Sequence, residues 1–377
     1  MNEDLAPDLT EEWPEPRANP DLIGLEDAER ILLDAYLSGR MPHAWIISGP
    51  RGIGKATLAY RFARFVLSRG KGEGASRSAL FGDGLPNDQP DSLYVSPNDP
   101  VFRRVAAGGH GDLLSVECAL NERGKLRTEI VINDVRGIGS FLRLTAAEGG
   151  WRVVVIDSAD ELNRNAANAV LKMLEEPPAQ ALLLLVSHNP GRLLPTIRSR
   201  CRKLRLRPLK TATVADLALK YAPGLSLSDA SELARLSEGS IGRALNLGAE
   251  GGLSLYHDLV GLLDTLPRLD IPALDDLGSR LARAGADDSF QAVSDLLRWW
   301  LGRLIQCAAR KETAAGEGVT EEEWALLNRI AQSASLDRWL EVWEKINRLL
   351  SRADSANLDR KQVVLNVFLT LENAART

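Results

Sequence analysis

The sequence predicts an α/β domain with a parallel sheet, followed by two all-α domains. Short, continuously apolar runs alternate with helical patterns in the first half of the chain, which is typical of parallel strands covered on both faces. A glycine-rich turn joins the first apolar run to a helix, and after Pro208 only helical spacing continues. We therefore predict domains at 1–209, 210–250 and 251–377.

The predicted α/β domain opens with an acidic, proline-rich lead-in and a helix over Gly24–Ser38. Apolar runs predict five strands, the last of them weakly, at Ala44–Ser48, Leu113–Glu117, Trp151–Ile156, Ala181–Ser187 and Lys203–Arg207. Helical spacing predicts helices between them at Lys55–Ser68, Asn133–Ala147 and Asn163–Glu176. The Gly-, Ser-, Asp- and Pro-rich stretch 69–112 predicts a long surface excursion.

The two all-α domains differ in the length of their helices. Three short patterns predict a helical lid at Thr213–Tyr221, Ser228–Leu236 and Ser240–Leu247. Six longer ones predict the last domain, at Ser254–Leu266, Ile271–Ala284, Ser289–Ala309, Glu321–Ala334, Leu336–Arg352 and Asp359–Asn373. The helical spacing of its tryptophans favours core packing over a partner surface for Trp299, Trp300, Trp324, Trp339 and Trp343.

Composition excludes several classes of protein. The 377 residues have a net charge of -5, so polyanion does not cover the whole surface. The three cysteines, Cys118, Cys201 and Cys307, are too few and too far apart for a disulfide framework or a four-cysteine zinc site. No apolar run reaches the ~20 residues of a membrane span, and the N-terminus does not resemble a signal peptide. We therefore expect a cytoplasmic protein that has no metal site and no membrane partner.

A glycine-rich loop between the first strand and its helix carries the candidate phosphate-binding residues Gly49, Gly52, Gly54, Lys55, Ala56 and Thr57. The glycines let backbone N–H groups surround phosphate, and Lys55 is placed to reach the β- and γ-phosphates. The usual magnesium-binding hydroxyl is replaced by Ala56, and Thr57 lies one residue too late, roughly 100° around the helix. The context favours a degenerate nucleotide site over a simple turn. It leaves open whether ATP or ADP still binds.

Two further positions support a degenerate site. Asp157 ends the third strand, where it would orient magnesium, although it could instead cap the next segment. The catalytic glutamate expected after it is Ser158, which is a poor base at neutral pH. Asn189 follows the fourth strand, where a polar side chain can lie beside a γ-phosphate, although Asn-Pro is also a turn signal. Hydrolysis is therefore predicted to be disabled.

Basic residues concentrate after the fourth strand, with eight Lys or Arg and no acid over 191–210. This run could be the solvated face of an edge strand, a nucleic-acid patch, or the source of an arginine offered to a neighbour's nucleotide. Arg243 begins a helix in the segment GSIGRAL, where it could face a γ-phosphate or solvent.

The stretch Arg152–Cys201 contains VVVIDSADELN, NAANAVLKMLEEPP and LLPTIRSRC. Together with the Gly49 loop and GSIGRAL, these motifs resemble the AAA+ subunits of the bacterial replicative clamp loader of DNA polymerase III, and among them the delta-prime type. The resemblance extends from Gly24 to Leu247, and its most specific part is LEEPP followed by IRSRC. It implies an AAA+ P-loop module, a helical lid and a C-terminal helical collar that oligomerises.

In that family the motor subunits keep a complete phosphate loop, an acidic box and a four-cysteine zinc module, which this sequence lacks. The resemblance therefore implies a non-hydrolysing subunit whose Arg200 is an arginine finger, acting in trans on a neighbouring motor subunit. It implies gamma/tau-type and delta-type partners in a hetero-pentameric ring, and a sliding clamp and primer–template DNA bound through the complex. The alternatives are an autonomous AAA+ ATPase, such as a motor subunit or helicase loader, and a DNA-binding regulator that uses the basic run.

Overall fold

The computed structural model describes residues 13–70, 90–119, 127–148, 150–249, 251–310, 319–356 and 358–376. They form two compact units. The sheet unit comprises 13–214 with Gly239–Gly242, and the helical unit comprises 215–238 with 243–376. The division into three domains stays a prediction. The part of the predicted excursion at 71–89 lies outside the described residues.

The sheet unit contains a five-stranded sheet in which every pair of neighbouring strands is parallel. Its spatial order is β2-β3-β4-β1-β5, so β1 lies between β4 and β5. The strands are β1 (Ala44–Ser48), β2 (Leu113–Val116), β3 (Arg152–Ile156), β4 (Ala181–Ser187) and β5 (Arg202–Arg205). All five strand predictions are confirmed, with ends that differ by two residues at most.

The helices of this unit are α1 (Glu26–Leu37), α2 (Lys55–Ser68), α3 (Pro100–Ala106), α4 (Ile132–Arg143), α5 (Arg164–Glu175) and α6 (Pro195–Arg200). Alternate strand residues such as Ile46 and Leu185 pack with Ile138 of α4 and Val170 of α5. Since strand side chains alternate between faces, neighbours such as Ile47 face the opposite side, where α2 contacts β1, β3 and β4. Helices on both faces explain why these strands are continuously apolar.

Two short helices were not predicted. Within the predicted excursion, α3 begins at Pro100, and the Asp99 side chain accepts a hydrogen bond from the Val101 backbone N–H at 2.7 Å. An Asp cap followed by Pro is a helix-start signal, which the prediction of a long surface excursion over 69–112 did not use. Helix α6 likewise starts with a proline, Pro195. It ends at Arg200, since the backbone of Cys201 is extended.

Helix α7 (Thr211–Tyr221) passes from the sheet unit into the helical unit, whose other helices are α8 (Leu227–Leu236), α9 (Ile241–Ala249), α10 (Gly252–Asp264), α11 (Ile271–Leu281), α12 (Asp287–Arg310), α13 (Glu321–Ala331), α14 (Leu336–Ala356) and α15 (Arg360–Ala375). Core packing is confirmed for Trp299, Trp300 and Trp339, whereas Trp343 is 38% exposed. Within the described ranges, no helix combines the length and apolar character needed to cross a membrane.

Candidate nucleotide site and interface arginine

The glycine-rich loop lies where the carboxyl ends of the parallel strands meet. The N–H of Gly49 donates to the Ser187 carbonyl at 3.3 Å, which ties the loop to the end of β4. Gly52 and Gly54 have φ angles of 72° and 90°, a region that favours glycine. A Cβ on Gly49 would lie 2.8 Å from the Leu206 carbonyl oxygen, so this position also requires glycine. Helix α2 starts directly after the loop, which therefore presents a helix N-terminus to an anion.

Lys55, the first residue of α2, lies within this loop. It is only 3% exposed, and its Nζ donates a hydrogen bond to the Pro50 carbonyl. Burial lowers the pKa of Lys55 to about 8, although the carboxylates of Asp157 and Asp160 act in the opposite direction. The Lys55 ammonium therefore interacts electrostatically with Asp157 and Asp160, which follow β3. The phosphate-binding interpretation requires this proximity of the loop to the end of β3.

The magnesium-binding part of the site is incomplete. Ala56 is the second residue of α2 and supplies no oxygen, and Thr57 follows it on the next position around the helix. Asp157 follows β3, and burial raises the pKa of its carboxyl group, while Lys55 lowers it. The arrangement thus has a glycine-rich loop and the Asp157 carboxylate, but lacks at Ala56 the hydroxyl that completes a magnesium site in P-loop proteins.

Ser158 and His188 form a neutral pair beside Lys55. Ser158 has a left-handed backbone (φ 61°, ψ 51°), and its Oγ lies 3.0 Å from His188 Nε2. Burial, with the nearby charges of Lys55 and Arg51, lowers the pKa of His188 to about 4. With a pKa of about 4, the neutral imidazole of His188 is a weak base for activating water at neutral pH.

Asp160 fixes the backbone of this loop. Its carboxylate accepts hydrogen bonds from the N–H groups of His188 and Asn189 at 2.9 and 3.1 Å. Burial alone would raise the pKa of Asp160, but these hydrogen bonds hold it below its usual value. The Asn189 side chain accepts from the Gly191 N–H at 3.1 Å, and so closes its own turn. The contact of His188 with Ser158 was not predicted, and the position of His188 directly after β4 was the available signal. The role of Asn189 toward a γ-phosphate stays a prediction.

We expect the stability of the protein to fall in mild acid because of His188. The pKa of this imidazole is about 4 in the folded chain, below the usual value of 6.5, so the unfolded chain takes up the proton first as pH falls. His188 therefore costs stability between about pH 6.5 and 4. Since the ring is only half-buried, we expect a loss of about 1–2 kcal/mol between pH 7 and 5.

Denaturant unfolding at both pH values tests this expectation. His188→Asn should reduce the loss in stability by that amount, whereas His257→Asn, which removes a 62% exposed imidazole, should not. Equal acid sensitivity of the wild type and His188→Asn would contradict the assignment.

The turn Gly239–Gly242 packs on the glycine-rich loop. The Gly242 N–H donates to the Gly52 carbonyl at 3.0 Å, and the Gly239 carbonyl accepts from the Leu209 N–H at 3.0 Å. A Cβ on Gly242 would lie 3.0 Å from Gly52 Cα, so a side chain there would crowd the loop. Arg243 belongs to the helical unit, where it lies 3.6 Å from Glu238, and its role toward a phosphate stays a prediction.

Arg200 lies at the end of α6, on the surface of the sheet unit. Its Nη2 pairs with the Glu175 carboxylate of α5 at 3.0 Å, and its Nη1 donates to the Thr196 carbonyl at 3.1 Å. The side chain is 37% exposed, whereas the next residue, Cys201, is buried. The buried cysteine anchors the chain, and the guanidinium remains accessible to another molecule.

The parallel sheet and the glycine-rich loop between β1 and α2 define a P-loop protein. A family model described as "DNA polymerase III, delta subunit" matches residues 24–210. DNA polymerase III subunit delta' of Escherichia coli is 32% identical over 343 residues, which cover 91% of this chain and 92% of that protein. The chain belongs to the delta' family of DNA polymerase III subunits.

Other relatives match over shorter segments. DNA polymerase III subunit delta' of Pseudomonas aeruginosa is 33% identical over 219 residues, covering 58% of this chain and 60% of that protein. DNA polymerase III subunit tau of Escherichia coli is 28% identical over 248 residues, covering 63% of this chain and 33% of that protein. The chain thus spans less than two thirds of the length of several curated relatives.

Proposed function

We propose that this chain is a non-hydrolysing subunit of the DNA polymerase III clamp loader that donates Arg200 to the ATP site of a neighbouring gamma/tau-type subunit. The observation that carries the proposal is a contrast within the sheet unit. Its own loop lacks an oxygen at Ala56 and an acid at Ser158, while Arg200 is exposed at the end of α6. Membership of the delta' family and the similarity to tau subunits support this assignment.

The residues of the loop fit a nucleotide's phosphates but not its magnesium ion. Backbone N–H groups around Gly52 and Gly54, and the Lys55 ammonium, would hold ATP or ADP. Lys55 would have to exchange its hydrogen bond to Pro50 for one to a phosphate oxygen. Because Ala56 provides no hydroxyl and Ser158 no carboxylate, a nucleotide would be a structural ligand here. No cofactor is required for the proposed activity.

The trans role follows from the chemistry of a guanidinium. A planar fork of N–H donors binds two phosphate oxygens at once and stabilises the negative charge that develops as a phosphoryl group is transferred. In the isolated chain Arg200 forms an ion pair with Glu175, and both side chains are exposed to solvent. Breaking this pair so that Arg200 can bind a phosphate therefore costs little free energy.

The proposed assembly contains gamma/tau-type and delta-type subunits in a hetero-pentameric ring, with the predicted collar helices contributing to its closure. The sliding clamp and primer–template DNA are engaged through the complex. In this ring the chain is a terminal, non-hydrolysing subunit, and its Arg200 contributes to catalysis in the neighbouring subunit.

Steady-state ATP hydrolysis and nucleotide binding by the purified chain test the non-hydrolysing assignment. We expect no hydrolysis above background. If nucleotide binds, Lys55→Ala should weaken binding by about 10–100-fold, since a hydrogen bond to a charged group contributes about 1.5–3 kcal/mol. Ser68→Ala, at the other end of the same helix, is the matched control and should change neither property. Hydrolysis that is abolished by Lys55→Ala would instead establish an autonomous AAA+ ATPase.

A further inference from the structure

A groove in the sheet unit lies apart from the candidate nucleotide site. A cavity of about 660 Å³ separates α1 from the edge strand β5 and the segment that follows it. We name it the α1–β5 groove, and it is lined by residues 23–28, Ile31, residues 204–210 and Thr213. Among the described residues, its lining includes neither the glycine-rich loop 49–57 nor Arg200. Its volume is within the range of about 300–1,000 Å³ that is typical of binding sites.

The surface of the α1–β5 groove is partly apolar and open to solvent. Leu204 and Leu206 are buried in its wall, whereas the large side chains of Ile23 and Ile31 are 41% and 42% exposed. Water around two exposed isoleucines in one concavity is released when another molecule covers them, which favours binding. The groove therefore suits a ligand with apolar side chains.

Strand β5 offers a backbone edge beside this groove. In the sheet formed by the described residues, β5 is the outermost strand and pairs with β1 alone. The outer row of N–H and C=O groups of an edge strand can pair with an extended chain, which adds to the sheet as a further strand. Since residues of β5 line the groove, alternate side chains of an added strand would enter it.

The two faces of β5 differ in charge. Leu204 is in register with Ile47, so its side chain lies on the α2 face of the sheet. Lys203 is in register with Ile46 on the opposite face, and both Lys203 and Arg205 are exposed. A strand added to β5 therefore meets apolar side chains on one face and cations on the other. Opposite charges on neighbouring strands attract, so the complementary strand alternates apolar with acidic residues.

We propose that the α1–β5 groove binds an extended segment of another protein in which apolar and acidic residues alternate. The segment adds to β5 as a strand, with its apolar side chains against Ile23 and Ile31 and its carboxylates against Lys203 and Arg205. Backbone hydrogen bonds supply affinity in this mode of recognition, and the alternate side chains supply specificity.

Two other occupants fit the α1–β5 groove less well. Glu26 and Asp27 line it on the side of α1, where they repel the phosphates of a nucleic acid but face the uncharged side of the proposed segment. A second copy of this chain, paired edge to edge, would bring its own Lys203 and Arg205 against the same cations, and like charges on neighbouring strands are destabilising.

The test is fluorescence anisotropy of a labelled peptide of about eight residues, valine alternating with glutamate, titrated with the full chain. We expect saturable binding. A peptide of the same composition, with the valines and the glutamates in separate blocks, cannot present one apolar and one acidic face and should bind at least about tenfold more weakly. Methylating the backbone nitrogens of the valines alone, or of the glutamates alone, should affect binding unequally, since only one of these sets faces β5.

Variants of the chain test the two faces separately. Ile31→Asp should weaken binding by about 10–100-fold, which is the contribution of burying one large aliphatic side chain. The matched control Leu37→Asp changes an equally exposed residue of α1 outside the lining of the groove and should bind as the wild type does. Lys203→Glu/Arg205→Glu should lose the valine–glutamate peptide and gain a peptide in which valine alternates with lysine. A misfolded variant would not gain this partner.

Four results would overturn the proposal: no binding by the wild type, equal binding of the alternating and block peptides, equal effects of Ile31→Asp and Leu37→Asp, or equal effects of the two methylation patterns. Displacement of the peptide by dimerisation of the chain would assign the edge to a second copy instead. Because the assay uses the chain alone and the groove excludes Arg200, its failure leaves the proposed role of Arg200 intact, and failure of that role leaves the groove unaffected.

Discussion

Replacing Arg200 by Ala is expected to slow ATP hydrolysis at the adjoining motor subunit by about 10³–10⁵-fold, which is the usual contribution of an arginine finger. The physical reason is that no other group of this chain would replace the guanidinium at the transition state. The measurement is a single-turnover assay of the reconstituted complex with clamp and primed DNA. The steady-state rate of ATP hydrolysis by the whole complex would fall only by the fraction that this one ATP site contributes.

Three variants test whether the guanidinium fork of Arg200 is itself what accelerates hydrolysis. Arg200→Lys keeps the charge but loses the planar fork, so it should remain strongly impaired. Glu175→Gln breaks a half-exposed ion pair worth about 0–1 kcal/mol and should change the rate by less than about fivefold. Arg192→Ala removes another exposed arginine, from the loop before α6, and should have no effect. Unchanged turnover with Arg200→Ala would refute the trans role, provided that the variant still enters the complex.

Glu323→Ala is expected to lower the free energy of unfolding of the helical unit by about 3 kcal/mol or more. The Glu323 carboxylate accepts hydrogen bonds from Arg235 of α8 and Tyr256 of α10. Although burial alone would lower the pKa of Arg235, Glu323 raises it. Burial and the same carboxylate also raise the pKa of Tyr256. Removing one partner of a buried pair leaves an uncompensated charge, which costs about 3–5 kcal/mol.

Glu323 also starts helix α13. Its backbone N–H donates to Thr320 Oγ1, and its carboxylate accepts from the Thr320 N–H, both at 3.2 Å. Hydrogen exchange of peptides from α12 and α13 measures the loss of stability in the helical unit itself. This local measurement is needed because the chain has two units, which can unfold separately. Glu322→Ala removes an exposed neighbouring carboxylate and should stay within about 0.5 kcal/mol of the wild type. Equal protection in the two variants would show that the buried network contributes no net stability.

The strands and most helices were predictable because burial imposes a period on the sequence. Runs such as Ala181–Ser187 have every residue buried, so no polar residue interrupts them. The short helices α3 and α6 were missed because six or seven residues are too few to display a helical period. Only their caps, Asp99 and the prolines at their first positions, marked them.

The candidate site was predictable in its motifs and not in its contacts. The glycine spacing located the glycine-rich loop, because it is a property of residue type at fixed positions. That Ala56 and Ser158 disable hydrolysis stays a prediction. The interaction of Ser158 with His188, by contrast, joins loops thirty residues apart. The sequence Ser187-His188-Asn189 does not specify which of its side chains turns toward the end of β3.

The sequence by itself determined the order of the strands and longer helices, the glycine-rich loop and the position of Arg200 after β4, since each depends on local period or motif spacing. Only the tertiary structure decided which charges meet. Arg200 is paired with Glu175, and the Glu323 carboxylate is buried against Arg235 of α8 and Tyr256 of α10. These outcomes depend on distances between segments far apart in the chain, and such distances are set by packing rather than by local pattern.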